Sequence, residues 1–118
     1  MQIFKDFLFE SAHFLPRVPR THKCRRMHGH SYRLRVVLDG SPEIVSGWIM
    51  DFGELKTIVD SILQQIDHYC LNELPGLENP TSEMLSVWLW ERLKPQIPKL
   101  VRIELHETAT CGVIYEGK

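Results

Sequence analysis

His28 and His30 are separated by a single glycine. At the start of an extended segment that spacing sends both imidazoles to one face, about 7 Å apart along the chain, a separation that can close on one metal ion. His13 ends an earlier apolar segment and offers a third nitrogen. Three neutral imidazoles with a fourth position left open form the donor set of catalytic zinc, although H-G-H alone reads equally well as a turn with two solvated histidines. Cys24, four residues before His28 in C-R-R-M-H-G-H, admits two chemistries. As a fourth ligand it closes a structural zinc site. As a free thiol, with a metal and the basic side chains Lys23, Arg25 and Arg26 favouring the thiolate, it serves as a base. Spacing leaves both readings open.

The elements that must position these groups follow from hydrophobic period. From Ile3 to Phe14 the side chains Phe4, Leu8, Ala12 and Phe14 fall on one face of an extended chain, and Phe7, Phe9, Ser11 and His13 on the other. Leu15 to Met27 contains Pro16 and Pro19 and has no period, so it reads as a long loop. A second strand runs from about His28 to Leu38, with His30, Tyr32, Leu34, Val36 and Leu38 on one face. Asp51 and Glu54 form an acidic capping box for a helix whose stripe is Leu55, Ile58, Val59, Ile62, Leu63 and Ile66. Asn79 caps a second helix with Pro80 in its first position, running to about Leu93 until Pro95 and Pro98 stop it. Alternation from Val101 to Thr108 and a short run from Val113 to Tyr115 complete the order strand, strand, helix, helix, strand, strand. The expected fold is α+β: a four-stranded antiparallel sheet with both helices on one face, its other face and edges needing cover by self-association.

Composition narrows the rest. The 118 residues are 43% hydrophobic and 25% charged with a formal net charge of -1, which fits one domain over residues 1–118 and gives no global field for nucleic acid or a membrane surface. No apolar run is long enough for a membrane span and the N-terminus is not a signal peptide, so a cytoplasmic protein is expected. The three cysteines make no disulfide framework, and Cys70 and Cys111 read as small, partly buried side chains without a role. Trp88 and Trp90 read as core or interface. The basic run Arg17, Arg20, Lys23, Arg25 and Arg26 lacks the stacking aromatics of a nucleic-acid module and reads as a solvated loop with a share in attracting a polyphosphate.

The ordered set F-E-S-A-H, C-x-x-x-H-G-H, Asp67-His68, N-P-T-S-E and Glu107-Thr108 resembles the family of 6-pyruvoyl-tetrahydropterin and 6-carboxytetrahydropterin synthases, over essentially the whole chain. The resemblance implies the tunnelling fold, in which three subunits close a twelve-stranded barrel and two trimers stack as a homohexamer. It implies zinc on His13, His28 and His30, proton transfer by Cys24 with the Asp67-His68 pair, and pterin held by Glu107. Thr81 and Ser82 are implied in the pterin pocket from a neighbouring subunit. A carboxylate such as Glu107 suits the pterin because it accepts two parallel hydrogen bonds from the ring nitrogen and exocyclic amine. The implied reaction converts 7,8-dihydroneopterin triphosphate to 6-carboxy-5,6,7,8-tetrahydropterin, acetaldehyde and triphosphate on the route to 7-deazapurines such as queuosine. The same residues serve a 6-pyruvoyl-tetrahydropterin synthase, the alternative within the class. A non-catalytic zinc-stabilised oligomeric binding module is the alternative outside it.

Overall fold

A computed structural model describes residues 1–118. The two long strands predicted from alternation are β1, Gln2–His13, and β2, His28–Asp39, paired antiparallel from Gln2 opposite Asp39 to His13 opposite His28. This register sets Ser11 against His30 and His13 against His28, so all three histidines meet at one end of the hairpin. The connecting segment is not wholly irregular: Lys23–Arg25 forms a single 3-10 turn with Cys24 at its centre.

Helix α1 spans Phe52–Leu63 and is capped by Asp51, whose carboxylate accepts from the Gly53 amide at 3.1 Å. Ile66, assigned above to the helix stripe, lies beyond the helix and fills the core from the following turn. Helix α2 spans Ser82–Leu93, and its cap is Thr81, not Asn79. The Thr81 hydroxyl accepts from the Met84 amide at 3.1 Å, which places Pro80 outside the helix with its carbonyl free for other use.

The sheet has five strands, not four. Between the helices Tyr69–Cys70 forms β3, parallel to β1 at Ser11 and Ala12. With β4, Leu100–His106, and β5, Gly112–Tyr115, the order is β3-β1-β2-β4-β5. A two-residue strand has no alternation to detect, and it is made by tertiary bonds. The His68 amide donates to the Glu10 carbonyl, the Ser11 hydroxyl to the Ile66 carbonyl at 2.7 Å, and the Glu10 amide to Asp67 Oδ1 at 2.9 Å.

Helices and sheet enclose a core of 21 buried residues. Phe7, Phe9, Tyr32, Leu34, Ile103 and Leu105 rise from the sheet to meet Leu55, Val59, Ile62, Leu85 and Leu89. Trp88 belongs to this core and Trp90 packs edge-on against Tyr115. On the opposite face Phe4, Leu8 and Ile114 stand exposed around the ion pairs Asp6–Arg35 and Arg102–Glu104.

Candidate functional site

The end of the β1–β2 hairpin gathers His13, His28 and His30, whose ligand-capable nitrogens all lie within 4.8 Å of one another. Main-chain carbonyls choose their tautomers. His13 Nδ1 lies 2.8 Å from the Pro80 carbonyl, and His28 Nδ1 lies 2.7 Å from the Arg26 carbonyl. A carbonyl only accepts, so in each ring Nδ1 carries a hydrogen, and in the neutral ring it is Nε2 that keeps the lone pair. Such an outer bond to the non-ligating nitrogen is the usual partner of a metal-bound histidine.

Glu107, just past β4, brings Oε1 to 3.3 Å from His13 Nε2 and 3.1 Å from His30 Nε2. These are approaches without hydrogen bonds, since both Nε2 atoms are buried and lack a hydrogen-bond partner. Buried nitrogen lone pairs converging with a carboxylate are costly without a cation, so this donor set fits a metal ion. Contact with His13, and after it the neighbouring His30, His13 and His28 rings, hold the Glu107 carboxyl below the usual carboxylate range, against burial. Burial, reinforced by His13 and His28 and opposed by Glu107, pushes His30 down toward the neutral form that ligates metals. Tyr32 forms the floor of the site, stacked on Phe9 at 4.9 Å and edge-on to His13 and His30. Its burial first, then the Glu107 charge, pushes its hydroxyl up, so it remains protonated.

Three cavities adjoin this cluster. One of about 360 Å³ is lined by Lys23, Cys24, Arg26, Met27, His28 and His30, so the thiol shares a space with two of the imidazoles while standing outside the tight nitrogen cluster. Arg25, from the same basic run, is spent on the Val18 carbonyl at 2.8 Å. A second cavity, about 290 Å³, is lined by Leu15, Thr81, Ser82, Glu83, Glu107, Cys111, Gly112 and Val113. A single chain thus already places Thr81 and Ser82 beside Glu107. The Thr81 hydroxyl is occupied as the helix cap, whereas the Ser82 hydroxyl oxygen is buried with no partner. Gly112 makes the β4–β5 turn behind Glu107 possible, because a Cβ there would lie 2.5 Å from the Leu105 carbonyl oxygen.

Asp67 and His68 follow helix α1 and stand outside the tight nitrogen cluster. His68 lines a third cavity, about 420 Å³, along the β3–β1–β2 edge with Glu10, Ser11, Ser31, Cys70 and His30, so this space too reaches one of the three imidazoles. The Nδ1 of His68 is 2.9 Å from Asp67 Oδ1, which leaves Nε2 facing solvent on a ring 76% exposed. His68 also has φ of +63°, the only non-glycine residue with positive φ. Histidine tolerates this region better than most residues, yet it still costs about 1 kcal/mol or more, and such outliers cluster at functional sites.

Spacing and resemblance overlooked Asn72. Its Oδ1 accepts from the Phe14 amide at 3.0 Å and its Nδ2 donates to the Phe14 carbonyl at 2.8 Å, clamping the residue next to His13. A lone asparagine between Leu71 and Glu73 carries no sequence signal for such a clamp. Asn72→Ala is expected to cost about 1–3 kcal/mol, read as a lower urea midpoint, because it leaves both groups of Phe14 without partners.

A 6-pyruvoyl tetrahydropterin synthase family model matches residues 2–118. The chain is 40% identical to the 6-carboxy-5,6,7,8-tetrahydropterin synthase of Synechocystis sp., over 96% of this chain and 91% of that one. It is 36% identical to the dihydroneopterin monophosphate aldolase of Pyrococcus furiosus, over 92% and 90% respectively. Among solved structures, 6-pyruvoyl tetrahydropterin synthase of Caenorhabditis elegans superposes with a TM-score of 0.92 at 25% identity, covering 100% of this chain and 96% of that one. With its whole length matched by the family model and its fold by a solved member, this chain belongs to the 6-pyruvoyl tetrahydropterin synthase family.

Proposed function

We propose that the protein is a zinc-dependent carbon–carbon lyase converting 7,8-dihydroneopterin triphosphate to 6-carboxy-5,6,7,8-tetrahydropterin, acetaldehyde and triphosphate, a step toward 7-deazapurines. The observation that carries this reading is the convergence of three imidazoles beside the Cys24 cavity, in a chain 40% identical to a 6-carboxy-5,6,7,8-tetrahydropterin synthase. His13, His28 and His30 hold zinc, which when bound supplies a Lewis acid for the side-chain hydroxyls of the substrate. Cys24 takes a proton from the carbon chain of the substrate on the side where its cavity meets His28 and His30. Lys23 and Arg26 on the same wall attract the triphosphate. Glu107 and the unpartnered Ser82 hydroxyl receive the pterin in the neighbouring cavity.

In this reading Asp67 orients His68 as the second proton-transfer group, with its Nε2 left open to solvent. Shape supports the assembly. The radius of gyration, 15.4 Å, exceeds the roughly 13.5 Å of a compact chain this long. Trimers paired edge to edge, stacked as a hexamer, cover the open sheet face and its edges. Light scattering at micromolar concentration is expected to give an oligomer, and a stable monomer would overturn this assembly.

Incubation with 7,8-dihydroneopterin triphosphate is expected to yield equal amounts of the 6-carboxy product and acetaldehyde by mass spectrometry. A 6-pyruvoyl product retaining the two-carbon fragment would replace this assignment with the other synthase activity. A folded, zinc-loaded oligomer with no turnover would favour a binding module.

Glu107→Gln is expected to weaken binding of a simple pterin by about 10-fold or more while zinc content stays unchanged. An amide accepts only one of the two hydrogen bonds and removes the charge that strengthens both. Glu104→Gln, on the opposite face of β4 and paired with Arg102, serves as the control and is expected to leave affinity near that of the parent. Fluorescence titration checks both.

A further inference from the structure

Cys24 occupies the middle of a three-residue turn in which no residue is buried. A single helical turn has no stability of its own, so something other than the core must fix the thiol. The Cys24 amide donates to His22 Nδ1 at 3.1 Å, and the Cys24 carbonyl accepts from the Leu15 amide at 2.8 Å. His22 is itself held, with its amide on the Pro19 carbonyl at 2.9 Å and its carbonyl accepting from the Arg25 amide at 3.1 Å. Both backbone groups of Cys24 are thereby fixed, and one of the two restraints is a side chain.

We propose that His22 is a positioning residue for Cys24: its imidazole caps the turn and fixes the backbone from which the thiol reaches the His28 and His30 cavity. Histidine is not among the favoured caps, but here the ring nitrogen does what the oxygen of Asn or Ser does elsewhere. Without it the Cys24 amide faces water and the peptide plane before the thiol is held at one end only, by the Lys23 carbonyl accepting from the Arg26 amide at 3.2 Å. Because the turn contributes nothing to the core, this loss falls on the direction of the thiol and not on the fold. The inference rests on the reading of Cys24 as the base.

Hydrogen exchange at the Cys24 amide of the zinc-loaded protein gives a readout independent of turnover. His22→Ala is expected to speed that exchange by about 10-fold or more, and His22→Asn, whose side-chain oxygen can accept the same bond, to restore protection. In parallel, His22→Ala is expected to lower kcat by about 2- to 30-fold, the span of a lost cap, with KM, zinc content and urea midpoint near parental values. His22→Asn recovers most of the rate. In a Cys24→Ala background, His22→Ala should add no further loss, since it acts only through the thiol. Unchanged amide exchange, a loss that Asn fails to repair, or two losses that multiply would each overturn the role of His22. A Cys24→Ala variant with undiminished rate would instead remove the base assignment, and the positioning role with it. An inactive Cys24→Ala beside a fully active His22→Ala overturns the positioning role alone.

Discussion

Cys24→Ala is expected to retain about one zinc per chain and a normal urea midpoint, yet to lose on the order of 10²-fold or more in single-turnover rate, the usual range for a general base. The geometry motivates this separation of metal from chemistry. Cys24 shares a cavity with His28 and His30 but is not one of the residues whose donor atoms cluster within 4.8 Å. A thiolate closing a structural site would behave in the opposite way, because losing one of four ligands weakens zinc binding and the folding coupled to it. Metal analysis beside the rate measurement therefore decides between the two chemistries that the spacing C-R-R-M-H-G-H leaves open. Zinc lost in parallel with stability would end the assignment of Cys24 as a base.

His13→Ala is expected to have the second large effect, this time on the metal. Loss of an outer hydrogen-bond partner typically costs 10- to 100-fold in metal affinity, and removing the ligand itself should exceed about 100-fold. His13 is fully buried, so the substitution also leaves the Pro80 carbonyl without its donor and opens a gap beside Tyr32. Competition with a chromophoric chelator should show weak zinc binding, and turnover should fall with occupancy. Tight zinc binding by His13→Ala would show that another residue completes the set and would remove His13 from it.

The sequence made the long elements legible because each has a period. Alternation located β1 and β2 within a residue or two, and the stripe from Leu55 to Leu63 located α1. It could not show β3, whose two residues are fixed by bonds from His68, Glu10 and Ser11 to a distant part of the chain. The α2 cap was misplaced by two residues because Asn79-Pro80 and Thr81-Ser82 both carry a starting signal, and only the bond to the Met84 amide distinguishes them. The three histidines were readable from one dipeptide step and a strand end. The neighbours that orient them were not, because Pro80 and Arg26 act through carbonyls, which every residue has. The resemblance implies Glu107 for the pterin, but its closeness to His13 and His30 depends on the tight β4–β5 turn at Gly112.

The use of main-chain carbonyls to orient His13 and His28 bears on how this site can change over generations. A side-chain partner such as an aspartate is lost by one nucleotide change, whereas the carbonyls of residues 80 and 26 survive any substitution that keeps the local path of the chain. The surrounding sequence can therefore drift widely while two of the imidazoles keep their tautomer and aim. Heritable failure of the metal centre should arise from the histidines themselves or from insertions and deletions in residues 14–27 and 71–81, which displace the carbonyls bodily.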